Sequence, residues 1–570
     1  MPISRFLRPL GFAALLTGAA LPALPALSQE GLAGSYLAAH VADMANDYRA
    51  TVQYGARALS QDPSNLGLME GLIMAEVSLG QIDDAVPVAH RLAALEAENQ
   101  VAEIVLMADA MKREDWDAMT DLLAAGGSVG GFLDQMIDAW SAVGKGRVSE
   151  AVAKFDAMAK DESIAEPALI QKALALALVG DYEGAARIFS GEERVLDLNR
   201  AGIEAYAQVL SQLERNPDAV AMLEAAFPST TDEELITLRA ELAAGKPIPF
   251  TATTGPRMAL AQLFYEVAQS ILGQTDPGLV LVYARIATYL DPAHVGAILV
   301  TARVFEEMKD NELAAAAYAL VPPQDRAYPQ AQIGRAIALR RLGDVEAALD
   351  VLRALAKAHP ELSGVHATLG DTLRYEKRFA EATAHYDAAI ALFEADAPSQ
   401  WGTYFSRAIT LEREGKWEQA EADFRKALEL NPEQPSVLNY LGYSYIERRE
   451  NFDEALDMIK RAVAARPYDG FIRDSLGWGF YRVGRYKEAV DEMERAVELK
   501  PLDPVLNDHL GDTFWAVGRK REAEFQWRRA LSFVTDATNL EELNPDRIRR
   551  KLEVGLDVVL EEEGGEPITK

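Results

Sequence analysis

A beat of about 34 residues runs through the C-terminal half of the chain, and it limits the fold more than any other feature. Leu476-Gly477 returns as Leu510-Gly511, Gly484 as Gly518, Ala489 as Ala523 and Ala496 as Ala530. One step earlier the set reads Leu441-Gly442, Ala455 and Ala462, and Pro432, Pro467 and Pro501 close successive units. A fixed period of this length belongs to stacked helical arrays, in which each unit buries its apolar face only against a neighbour. With 570 residues the chain is too long for one compact core, but a solenoid grows by adding units. Such arrays display long binding surfaces rather than catalytic clefts.

Clear units span 401–434, 435–469, 470–503 and 504–537, and fainter ones extend upstream. Gly343 with Ala348 and Pro360, Gly370 with Ala382 and Ala389, Gly180-Asp181-Tyr182 with Ala185, Gly146 with Ala151, and Gly80 with Ala85 carry the same punctuation. Within 470–503, Leu476, Gly477 and Phe480 share one helical face, and Gly477 lets a partner helix approach closely. Gly484 falls where the first helix must stop, a position that tolerates positive φ. Ala489 and Ala496 make a narrow seam on the second helix, and Pro501 ends it. No useful stretch alternates with period two, so no sheet is expected.

These residues resemble the tetratricopeptide repeat, whose pattern is Leu-Gly, an aromatic, a turn Gly, then Ala, aromatic, Ala and Pro. The 470–503 unit supplies Leu476, Gly477, Phe480, Gly484, Tyr486, Ala489, Ala496 and Pro501, with Met493 where an aromatic is usual. The 504–537 unit supplies Leu510, Gly511, Phe514, Gly518, Ala523, Trp527 and Ala530, with Thr535 in place of the proline. The resemblance implies an all-α fold: antiparallel helix pairs wound into a right-handed superhelical solenoid with a concave groove.

The expected layout is a signal peptide over 1–28, a degenerate N-terminal array over 29–227, a Pro- and Thr-containing linker over 228–257, the main array over 258–537, and a capping helix with an acidic tail over 538–570. Pro228, Pro247, Pro249 and Pro256 break the rhythm at the linker, and a short acidic helix fits inside it. The signal reading rests on Arg5 and Arg8, the uncharged stretch from Leu10 to Leu21, and Ala26-Leu27-Ser28 before a cleavage point at Gln29. It implies secretion to a bacterial periplasm, with no transmembrane segment left after cleavage. The chain has no cysteine, which removes disulfides, thiol catalysis, thiolate metal sites and a lipid-bearing cysteine.

The formal net charge of -31 argues against nucleic acid as a partner, because such binding needs clustered cations. Gly126-Gly127-Ser128-Val129-Gly130 fits G-x-S-x-G, but a nucleophile elbow needs a strand before it, and here helical segments flank it. It reads as an inter-helix turn. None of the seven histidines falls in H-E-x-x-H or pairs with another at i+4. No catalytic, cofactor or metal residues are assigned, and the chain is expected not to be an enzyme.

The candidate site is the inner face of the first helices. At 100° per residue, Asp474, Trp478 and Tyr481 share one side of their helix. Asn439 and Tyr443 stand one unit earlier, and Asp508, Asp512 and Trp515 one unit later. By the resemblance this side lines the concave surface. Aromatic plates beside carboxylates suit a protein or peptide partner bearing apolar and basic side chains. The bland reading is that Trp478 and Trp515 pack between neighbouring first helices. One subfamily clamps a partner's C-terminal carboxylate with lysines and asparagines, a mode that Asp474 and Asp508 oppose here. Basic residues gather near the end, at Arg519, Lys520, Arg521, Arg528, Arg529, Arg547, Arg549, Arg550 and Lys551. A solvated face is the default for them, and peripheral contact with an anionic surface is the functional alternative. The chain thus reads as an adaptor of the cell envelope, with a structural homo-oligomer and an enzyme site between the arrays as rivals.

Overall fold

The computed structural model describes residues 32–95, 99–192, 194–230, 232–535 and 543–568. The signal segment expected over 1–28 lies outside them. Among the described residues every regular element is helical, 31 α-helices and one short 3-10 turn, and no strand occurs. No helix among them is long and apolar enough to cross a membrane.

The repeat punctuation acts as the spacing required. Asp469 and Asp503, each two residues after a closing proline, cap the next first helix: their Oδ1 atoms accept from the N–H groups of Ile472 and Leu506 at 3.3 and 3.0 Å. The helix then runs Gly470–Arg482 or Pro504–Ala516 and stops at a glycine with positive φ, +79° at Gly484 and +83° at Gly518. Close approach explains the Leu-Gly pair. A Cβ on Gly477 would stand 2.8 Å from Met493 Cγ, and one on Gly511 would collide with the buried indole of Trp527. The alanine seam, Ala489, Ala496, Ala523 and Ala530, is fully buried.

Two compact units divide the chain. The first holds Met1–Lys309 with 320–322, and the second Asp310–Ala319 with Pro323–Lys570. The division does not fall at the Pro-rich segment expected as a linker over 228–257. That segment carries the helix Glu233–Ala243, and it leads into Pro256–Ile271 and Pro277–Leu290, which belong to the first unit. Pro277–Leu290 packs on Leu66–Leu79 and Gln100–Lys112, and Pro256–Ile271 packs on Gly131–Gly144. Three bonds fix the former: Tyr289 Oη donates to Asp83 at 2.6 Å, Arg285 Nε to the Ser78 carbonyl at 2.9 Å, and Tyr283 Oη to the Val129 carbonyl at 3.3 Å. The array therefore uses part of its own wall to bury this apolar helix.

Ser128 lies in the turn between Trp116–Ala124 and Gly131–Gly144, as its helical flanks implied. Its Oγ donates to Asp134 Oδ2 at 2.5 Å, and its N–H donates to Glu103 at 2.8 Å.

In the second unit the chain ends in two helices, Pro545–Val554 and Leu556–Glu562, where one capping helix was expected. Gly555 separates them with φ +85°. They bury Ile548 and Leu556 in the same apolar cluster as Leu510, Phe514 and Trp527, and Val559 is buried as well. The expected loose tail is anchored as well: the Ile568 N–H donates to Asp557 at 2.8 Å, and its side chain packs on that cluster.

Candidate functional site

The first helices Pro435–Arg448, Gly470–Arg482 and Pro504–Ala516 carry all eight candidate residues. The structure divides these residues into an open set and a closed one.

The closed set is Asp508, Asp512 and Trp515. The helix Pro545–Val554 lies over them, and Lys551, 1% exposed, inserts its ammonium between the two carboxylates. Nζ stands 2.8 Å from Asp508 Oδ1 and 2.6 Å from Asp512 Oδ1. Arg547, one helical turn earlier, approaches the other oxygen of Asp512 at 3.5 Å. Trp527 Nε1 donates to Asp512 Oδ1 at 2.9 Å, so that oxygen carries a neutral donor beside the Lys551 ammonium. Trp515 is closed in the same way. Its Nε1 donates to Asp557 at 2.9 Å, and Gly555 lies so near that a Cβ there would stand 2.5 Å from the indole. The expectation of an open wall at these three residues is therefore corrected: the protein's own C-terminal helices cover them.

Burial pushes the Asp508 carboxyl up; Lys551 pulls it back and Asp512 adds to the rise. His509 sits beside this cluster, its Nδ1 3.0 Å from Asp474 Oδ2. Burial alone would lower the His509 pKa, but Asp474, Asp508 and Asp512 together raise it. Asp474 is thus buried and paired rather than presented to a partner.

The open set is Asn439, Tyr443 and Trp478, all half-buried, while Tyr481 lies beneath them, 9% exposed. Trp478 stacks on Tyr481 at 4.8 Å and 11° and on His509 at 4.2 Å and 14°. Its Nε1 donates to Glu447 at 2.6 Å, a carboxylate that also faces Arg482 at 3.5 Å. The bland reading of the tryptophans thus describes Trp515 well and Trp478 in part. Asn439 Oδ1 is buried with no hydrogen-bond partner, an orphan acceptor in the middle of the wall.

Sequence reasoning missed the inward roles of Arg547 and Lys551, which it placed in a run of surface cations. Their spacing of four residues was the available signal, because it puts them on one side of the helix, with Arg549 opposite and Arg550 on the flank. Those two pair with Asp546 and with Glu553 and Glu562. Arg519 pairs with Glu494 and Glu522. Among the described residues no group of three or more histidines and carboxylates is arranged to hold a metal ion.

This arrangement defines the class, a helical-repeat solenoid whose first helices form an inner wall. A family model described as Tetratricopeptide repeat matches residues 333–400 and 405–470, so the chain carries tetratricopeptide repeats there. It is similar to TPR repeat-containing protein PA4667 of Pseudomonas aeruginosa, 28% identical over 189 residues, covering 32% of this chain and 30% of that protein. It is also similar to a Lipoprotein NlpI homolog of Haemophilus influenzae, 35% identical over 83 residues, covering 15% of this chain and 26% of that protein. The chain spans less than a third of the length of either relative. Among solved structures, the APC/C hetero-tetramer Cut9-Hcn1 aligns over 92% of this chain and 96% of that one, with 12% identity and a TM-score of 0.39.

Proposed function

We propose that the protein is a non-catalytic scaffold whose second unit holds a polypeptide partner along the open wall at Asn439, Tyr443 and Trp478. One observation carries this reading: one repeat further on, the same wall already holds a helix, with cations on Asp508 and Asp512 and a glycine against Trp515. The wall chemistry of this chain therefore suits a helix bearing basic and apolar side chains. Asn439 adds support, since its orphan oxygen gains a donor from a bound backbone or side chain. We place the protein in the cell envelope. The signal-like start supports that location, as does the likeness of part of the chain to a protein described as a lipoprotein.

A photo-crosslinking residue at Tyr443, compared with one at Asp491 on a second helix, tests the wall in living cells. Discrete adducts from Tyr443 alone are expected, and Trp478→Ala should abolish them. Equal adducts from both positions, or adducts untouched by Trp478→Ala, would end this assignment.

A specific observation favours a second reading, the homo-oligomer. Leu37, Val41 and Met44 are 62%, 57% and 75% exposed and share one face of the helix Leu32–Met44. Light scattering after size exclusion decides between them, because a monomeric mass eliminates the oligomer.

A further inference from the structure

The first unit contains a cavity that the groove reading does not use. Its volume is about 610 Å³, and it lies between the helices Ala165–Leu178, Arg200–Gln212 and Pro256–Ile271 and the segment 251–252. Its lining includes Gln171, Asn199, Gln208, Glu166, Asp197 and Glu266. Among the described residues no lysine or arginine lines it.

Three of these side chains are amides whose orientation is settled by their partners. Trp140 Nε1 is only a donor and stands 3.0 Å from Gln171, so the oxygen of Gln171 faces it. The backbone N–H groups of Thr251 and Ala252 fix the oxygen of Gln208 in the same way, at 2.8 and 3.0 Å. The Gly202 N–H fixes that of Asn199 at 2.9 Å. Each residue therefore has its NH2 group left over, with no partner among the described residues. Gln171 is 4% exposed as a residue and lines the cavity.

Glu266 supplies the opposite chemistry. The Ala297 N–H donates to His294 Nδ1, which leaves the proton on Nε2 to donate to Gln262 Oε1 at 3.0 Å. The amide of Gln262 then donates to Glu266 at 2.9 Å, the one hydrogen bond this carboxylate makes among the described residues. Burial pushes the Glu266 carboxyl up, and the bond from Gln262 only partly offsets that. Among the described residues no salt bridge ties Glu166, Asp197 or Glu266 to a cation, although Arg194 acts on Glu166 through space and Arg200 pairs with Glu204 at 2.6 Å.

We propose that this cavity is a binding site for an extended peptide segment of a partner protein carrying a lysine or arginine. The three free amides donate to its backbone carbonyls, and Glu266 receives its cation. Both halves of the site are needed. Amide donors alone would take any extended chain, and a carboxylate alone would take any amine. The site is independent of the wall at Trp478, which belongs to the other unit.

The probe is a pentapeptide, Ac-Ala-Ala-Lys-Ala-Ala-amide, with its glutamine counterpart and cadaverine as comparisons. Each is titrated into the full chain and followed by ligand-observed NMR. The lysine peptide is expected to bind about tenfold more tightly than the glutamine peptide, the scale of one charge-assisted hydrogen bond. Glu266→Gln, which can still accept from Gln262, should abolish that preference, and Gln208→Leu should weaken both peptides. Trp478→Ala should leave the preference intact. The proposal is overturned if the unmodified protein binds neither peptide at about 10 mM, or binds both equally. It is also overturned if cadaverine matches the lysine peptide and ignores Gln208→Leu, since a bare amine is then what the site reads. Loss of the preference in Trp478→Ala would place the peptide in the second unit and sink the cavity while sparing the wall.

Discussion

Lys551→Met isolates the interaction that closes the C-terminal end of the wall. The substitution keeps most of the aliphatic stem and removes the ammonium, which also stands 5.6 Å from the Trp527 ring centroid. Asp508 and Asp512 then remain buried at 9% and 1% exposure without the cation that sits 2.8 and 2.6 Å from them. Breaking a buried pair from one side costs about 3–5 kcal/mol, because the partner charges stay desolvated. Arg547 stands 3.5 Å from Asp512 and compensates part of this, which favours the lower end. Against the loss stand Ile548, Leu556 and Val559, worth about 1.5–3 kcal/mol each when fully buried. Their sum, roughly 5–9 kcal/mol, exceeds the loss, so the closing helices should stay docked yet open far more often.

A shift of about 3 kcal/mol multiplies the open population by roughly two orders of magnitude. Hydrogen exchange read by mass spectrometry over 545–562 measures it, because these amides are protected only while docked. The triple variant Lys551→Met, Asp508→Asn, Asp512→Asn removes the stranded charges and should recover most of the protection. The side-chain amide that Asp512→Asn introduces can still accept from Trp527 Nε1 through its oxygen. Unchanged exchange in the single variant, or a triple variant as open as the single, would refute the claim that the ion cluster holds the closure.

Three further outcomes follow from the same structure. Glu76, 6% exposed with Oε2 unpartnered, has its pKa raised by burial and by Asp84 to about 7; its contribution to stability is full below pH 4.5 and lost as pH rises to about 7. Glu76→Gln should therefore match the unmodified chain at pH 4 and exceed it at pH 8 by up to roughly 3 kcal/mol in urea melts, and equal stability at both pH values would refute this. The raised pKa of His509 places its stabilising charge below the ordinary 6.5 and its loss above that value as pH climbs; a Trp478 fluorescence titration should show a midpoint above 6.5 that disappears in His509→Gln. Gly511→Ala should cost at least about 1–3 kcal/mol, because the indole it strikes is fully buried and tied to Asp512, whereas Gly402→Ala, with open space around it, should cost little.

The repeat itself was legible because its signals are local. Leu-Gly, the turn glycine and the alanine seam each report contact between helices adjacent in sequence, and Gly477 against Met493 meets that expectation at atomic spacing. The closure of the walls was not legible, because it joins residues far apart. Asp512 and Lys551 are 39 positions from each other, and the four-residue spacing of Arg547 and Lys551 marks a shared face without naming the carboxylates it meets. The first unit did leave a signal. Pro277–Leu290 is apolar over most of its circumference, interrupted by Arg285 and Thr288, with Val280, Leu281, Val282, Tyr283, Ala284 and Ile286 all buried. A two-faced helix of an array has no need of that, and a helix buried on every side must fill a wall.

Closure and partner binding in the second unit share one element. Trp478, in the open wall, stacks on His509; His509 is held by Asp474; and the charge of His509 is maintained jointly by Asp508 and Asp512, which Lys551 bridges. A partner that presses on Trp478 therefore meets a ring whose charge depends on the closing helix. Linkage requires reciprocity: whatever factor the partner adds to the protection of 545–562, docking of that helix must add to partner affinity. Tyr443, one repeat before Trp478 on the open wall, provides the contrast. Lys551→Met should change the affinity of a partner through Trp478 and leave the contribution of Tyr443 as it was, a difference that a double-mutant cycle resolves. If the two residues respond alike to Lys551→Met, the wall answers as one rigid surface and the stack carries no coupling.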